Sequence, residues 1–100
     1  MTPAQIAATR HLIGLTAEQL GAALSINPRT IRGWESGKYS PGPGPTAALA
    51  ALRAEHDAEL AEILSHTEGD IPAGPRPSGW YLALASRLID RKPDITLNWG

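Results

Sequence analysis

One hundred residues, 42% of them hydrophobic, are enough for one small domain with or without an appendage. Much of that share is alanine, with no phenylalanine and no cysteine, which suits closely packed helices and excludes disulfide scaffolds and thiolate zinc sites. The net charge of −1 is unevenly divided: residues 1–53 hold five Lys and Arg against two acids, and residues 54–100 hold four against eight, so a basic front can approach phosphate while an acidic back is repelled.

Thr2 is placed to cap a first helix, with Pro3 at its first position and Gln5 completing a capping box. Ile6, Arg10 and Ile13 then line one face at helical spacing, and Gly14 ends the helix. An arginine on an apolar stripe needs a buried partner, because an unpaired buried charge is expensive. Glu35 is the candidate, which makes Arg10 and Glu35 a structural ion pair. Residues 15–37 read as two short helices joined by a tight turn. Thr16 and Gln19 form the capping box of the first, whose apolar face is Leu20, Ala23 and Leu24. Asn27 caps the second, with Pro28 at its first position and Ile31 and Trp34 on its inner face. Arg29, Thr30 and Arg32 fall on the faces left outside. Helices this short must pack on each other and on a neighbour. Two packed short helices with arginines on the second form the helix-turn-helix arrangement that reads DNA.

Residues 6–53 resemble the Cro/C1-type (XRE) helix-turn-helix family. Leu20, Leu24, Ile31 and Trp34 fall on its core positions, and Gly21 on the small residue where the two helices touch. Residues 35–38, Glu-Ser-Gly-Lys, match its Glu-Asn-Gly-Lys ending, and Arg10 matches the arginine that pairs with Glu35. Two residues depart from the pattern. Ala17 stands where many phage repressors carry a DNA-contacting glutamine, and Ser25 replaces the turn glycine, so it must adopt a sparsely populated backbone conformation. The resemblance implies a mainly α, lambda-repressor-like fold with DNA contacts from Thr16, Asn27, Arg29, Thr30, Arg32, Ser36, Lys38 and Tyr39. Of these, Lys38 and Tyr39 lie just beyond the recognition helix and are placed to meet the sugar-phosphate backbone, as is Arg53.

Residues 41–45, Pro-Gly-Pro-Gly-Pro, predict a stiff exposed loop. Thr46 is then expected to cap a long helix to about residue 65, with Leu49, Leu52 (or Arg53), His56, Leu60 and Ile63 as its stripe and Glu55, Asp57, Glu59 and Glu62 outside. His56, Glu59 and His66 do not put three metal ligands on one face, and these histidines are expected at a surface or interface. Residues 67–79 read as a Pro/Gly linker between a 1–66 DNA-binding domain and an 80–100 dimerisation segment. In that segment Trp80, Leu84 and Leu88 share one helical face, and Pro93 stops the helix. Ile95, Leu97 and Trp99 alternate along a short strand. A single strand has no partner in the chain, so it either lies as an extended tail over the helices or, as expected here, pairs with a second copy through an interface of Trp80, Leu84, Leu88, Ile95, Leu97 and Trp99.

No phosphate-binding loop, nucleophile–base arrangement or cofactor site is evident, so no enzymatic activity or cofactor is expected. No apolar run reaches membrane-span length, and the N-terminus lacks the blocks of a signal peptide, which points to the cytoplasm. The expected function is a homodimeric, sequence-specific repressor binding double-stranded DNA at an inverted-repeat operator. With no sensor domain or ligand pocket evident, autoregulation or control of a neighbouring operon is expected. The overall plan is similar to the anti-CRISPR-associated autoregulators of phages and mobile elements. The alternatives are an antitoxin that holds a toxin partner with its acidic half, and an interaction adaptor that keeps the fold without the DNA.

Overall fold

Local chemistry sets the first three helices. In the computed structural model, which describes residues 1–100, Thr2 and Gln5 form a reciprocal capping box at the start of α1 (Pro3–Leu12). Thr16 and Gln19 repeat it for α2 (Ala17–Leu24). The Asn27 side chain accepts from the Arg29 N–H at 2.8 Å to open α3 (Pro28–Glu35). Each cap satisfies donors that a helix N-terminus leaves unpaired. Gly14 leaves α1 at φ +74°, and Ser25 leaves α2 in the left-handed region at φ 57°, ψ 45°. Leu20, Gly21 and Ala17 bury the inner face of α2, with Leu24 partly buried against the core; Ala23, expected on that face, is exposed. A Cβ on Gly21 would lie 2.4 Å from the Ile26 carbonyl oxygen, so only glycine lets the turn fold back this closely.

The long helix α4 (Pro43–Leu64) starts three residues before Thr46, with Gly42 as its cap. Pro43 and Pro45 do not prevent this, because first-turn N–H groups have no intrahelical acceptor to lose. Thr46 instead donates its hydroxyl to the Gly42 carbonyl at 3.0 Å. At 22 residues α4 runs about 33 Å, and it is the spine of a molecule measuring 44 × 23 × 18 Å. It packs on α2 and on the first two of the three C-terminal elements. The three are β1 (Gly69–Ile71), α5 (Ser78–Arg91) and β2 (Leu97–Trp99).

The C-terminal half differs from the sequence expectation in three ways. The strand does have a partner in its own chain: β1 and β2 pair in parallel, Gly69 opposite Leu97, Asp70 opposite Asn98 and Ile71 opposite Trp99, with α5 as the crossover. Residues 67–79 are therefore not a free linker, and Ile71 lies in the core. Trp80, Leu84 and Leu88 are fully buried against the rest of the same protomer and cannot face a second copy. Ile95 and Leu97 are half-buried against this core, which leaves Trp99, 67% exposed, as the one large apolar side chain of the proposed strand interface still free. A single cluster of buried side chains runs from Ile6 to Leu88 and joins the two halves.

His56, expected at a surface or interface, is fully buried on the α4 stripe within the protomer. Its Nε2 donates to the Trp80 carbonyl at 3.0 Å, which leaves Nδ1 to accept from Arg87 Nη1 at 2.9 Å. Arg87 and Arg53 both donate to Asp57 Oδ1, at 2.7 and 3.0 Å. The Trp80 indole donates to Glu59 at 2.5 Å. No buried side-chain nitrogen or oxygen is left without a partner. Burial pushes the His56 imidazole below its ordinary range, and the Arg87 guanidinium adds to the shift against the opposing Trp80 hydrogen bond. No helix is long and apolar enough to cross a membrane.

Candidate nucleic-acid interface

The corner between α2 and α3 is held from beneath. Arg10, near the end of α1, donates from Nε to Glu35 Oε2 at 2.6 Å and from Nη2 to Glu35 Oε1 at 2.7 Å. Its remaining Nη1 donates to the Leu15 carbonyl at 3.1 Å. One guanidinium thus ties the α1–α2 turn to the last residue of α3. The bidentate pairing with Glu35 raises the Arg10 pKa above its usual value against the cost of burial. Ile31 and Trp34 seat the opposite side of α3 in the core. The orientation of α3 is therefore set by packing on one side and an ion pair at its end.

The outward face of α3 carries Arg29 and Arg32, both exposed, with Thr30 half-buried between them. Arg29 makes no ion pair and is free to reach outward. Arg32 instead pairs with Glu18 on α2, a partner the sequence pattern did not single out. The Glu18 carboxyl is held below the usual carboxylate range, by its own backbone N–H first and by Arg32 second. Only a fold that lays α2 across α3 brings positions 18 and 32 together, so no spacing rule would have found them. Thr16 and Asn27 are exposed at the N-termini of α2 and α3, where their oxygens serve the caps. Ser36 is exposed, but its hydroxyl donates to the Gly33 carbonyl at 3.2 Å.

Lys38 and Tyr39 follow α3 and are exposed. The Tyr39 ring folds back over Gly33, where a Cβ would fall 2.2 Å from the ring. Lys38 Nζ lies 5.3 Å from the ring centroid. Arg53 is bonded through Nε to Asp57 one turn along α4, an i, i+4 pair visible in the sequence. No group of three His, Cys, Asp or Glu residues is arranged to hold a metal ion.

An eight-residue helix is about 12 Å long, and the major groove of B-DNA is about 12 Å wide. A two-helix corner locked from below, with exposed arginines on its second helix, defines a helix-turn-helix DNA-binding protein. Residues 6–52 match the Helix-turn-helix family, and the chain carries a Cro/C1-type (XRE) domain of the kind found in DNA-binding transcriptional regulators. No curated protein matches the chain.

Proposed function

We propose that the chain is a repressor that binds an inverted-repeat operator as a homodimer in the cytosol and controls the operon that encodes it. The observation that carries this reading is Arg29, unpaired and exposed on the first turn of a helix whose other face is immobilised. A guanidinium there can donate both N–H groups to guanine O6 and N7. Arg32 reaches the same groove once Glu18 releases it, while Lys38 meets phosphate, which carries no sequence information. The helix-turn-helix match supports regulation of transcription, and the similarity in plan to mobile-element autoregulators supports a target in the chain's own operon.

A palindromic site calls for two copies. The support within the chain is Ile89 on α5 and Trp99 on β2, large apolar side chains 50% and 67% exposed after folding. Footprinting on the DNA upstream of the chain's own gene tests the proposal. Two protected half-sites about 34 Å apart, or a multiple of that, are expected. Absence of protection, or a single half-site bound by a monomer, contradicts it.

A further inference from the structure

Between α1, α4 and α5 lies an open groove of about 760 Å³, where no ligand pocket was expected from the sequence. Its floor is apolar, with Leu12, Leu60 and Ala83, and Leu82 stands at its lip, 59% exposed. The two halves of the molecule meet here backbone to backbone: a Cβ on Gly14 would lie 1.9 Å from the Gly79 carbonyl oxygen. Four guanidiniums line the groove: Arg10 is taken up by Glu35, and the other three, from Arg53, Arg87 and Arg91, stand against two carboxylates in their neighbourhood, Asp57 and Asp90. Arg53 and Arg87 share a single oxygen of Asp57, and Arg91 is exposed and makes no ion pair. Positive charge is therefore in surplus beside a leucine floor, in a space within the roughly 300–1,000 Å³ typical of small-molecule sites.

We propose that this groove binds a small amphipathic organic anion, a carboxylate with an aliphatic or aromatic body. The body lies along Leu12, Leu60 and Leu82, and the carboxylate meets Arg91 and the free N–H groups of Arg53, a geometry guanidinium favours. A leucine floor does nothing for a DNA phosphate, and the surplus charge argues against a neutral ligand. Leu15 and Thr16 line the same groove. Thr16 caps α2, and the Leu15 carbonyl accepts from the Arg10 guanidinium that holds Glu35. Occupancy therefore bears on both helices of the DNA-reading corner, and anion and DNA change each other's affinity by the same factor. That coupling rests on the DNA-binding reading; anion binding itself does not.

Calorimetric titration of the full chain with decanoate, kept below its micelle-forming concentration, tests the site. Acetate supplies the carboxylate without the body, and decyltrimethylammonium the body with the opposite charge. Saturable one-to-one binding of decanoate is expected, at least about tenfold tighter than either control, since acetate forgoes the burial of the body and decyltrimethylammonium the charge-assisted hydrogen bonds. Leu82→Asp and Arg91→Glu, both at exposed positions, should each weaken it about tenfold with unchanged circular dichroism. Failure to saturate, equal binding of the cationic detergent, or indifference to both substitutions overturns the proposal. So does a dimer that Leu82→Asp converts to monomer, which would place a second copy in the groove. Weaker DNA binding by Arg91→Glu with no carboxylate present would assign the rim to phosphate and overturn it as well. A chain that binds decanoate but no DNA would refute the regulator reading alone.

Discussion

Glu35→Gln keeps the shape of the side chain and removes its charge, leaving Arg10 opposite a neutral amide across contacts of 2.6 and 2.7 Å. Removing one member of a fully buried ion pair costs about 3–5 kcal/mol, and an exposed pair contributes at most about 1 kcal/mol. Arg10 and Glu35 are 25% and 14% exposed, nearer the buried limit, and the Leu15 carbonyl still holds one corner of the guanidinium. These considerations place the loss at about 2–3 kcal/mol. For a domain of this size each kcal/mol moves Tm by about 4–8 °C, so Glu35→Gln should melt roughly 8–24 °C lower. The double variant Arg10→Met/Glu35→Leu, which replaces the pair by apolar groups, should recover most of that loss. Thermal and urea unfolding of the two variants and the unaltered chain measure it. A loss below about 0.5 kcal/mol for Glu35→Gln, the range of ordinary surface substitutions, would refute the claim that this pair sets the corner.

Protonation of His56 should destabilise the fold. Its imidazole is held below the ordinary range when folded, chiefly by burial, so below about pH 6.5 the unfolded chain binds a proton that the native chain does not. Stability fully present above that pH is lost as pH falls below it. A urea midpoint that declines from pH 7 to 5 is expected, and a flat one contradicts the buried, neutral assignment. Ser25→Gly should raise stability by about 0.5–1 kcal/mol, because the residue leaves α2 at φ 57° and its side chain makes no hydrogen bond there. No gain in the urea midpoint would refute that strain. Gly14→Ala should lose more than about 3 kcal/mol, since a positive φ coincides with a Cβ 1.9 Å from the Gly79 carbonyl. A near-native melting curve would show that the two halves are not joined there.

Features with a local cause could be read from the sequence. Thr2, Thr16 and Asn27 carry their caps within three residues, and Arg10 on an apolar stripe demanded a distant acid. Features that depend on what lies opposite could not. The stripe of Trp80, Leu84 and Leu88 shows that this face is covered, but a second subunit and α4 would cover it equally well. β1 is three residues long, too short for any alternation, and its partner lies 28 positions away in a parallel pairing. His56 could be assigned neither to solvent nor to core until Trp80 and Arg87 were brought to its two nitrogens. The arginines of α3 stood out as charges on a helix face, yet the Glu18 that holds Arg32 became visible only with α2 and α3 packed together.

Fluorescence anisotropy on operator and scrambled duplexes, across a series of salt concentrations, tests most directly that α3 reads DNA sequence. Arg29→Ala should lose about 1–3 kcal/mol on the operator and much less on the scrambled duplex. Lys38→Ala should weaken both alike and lower the salt slope by about one unit. Equal losses on both duplexes for Arg29→Ala and Arg32→Ala would contradict base reading by this helix.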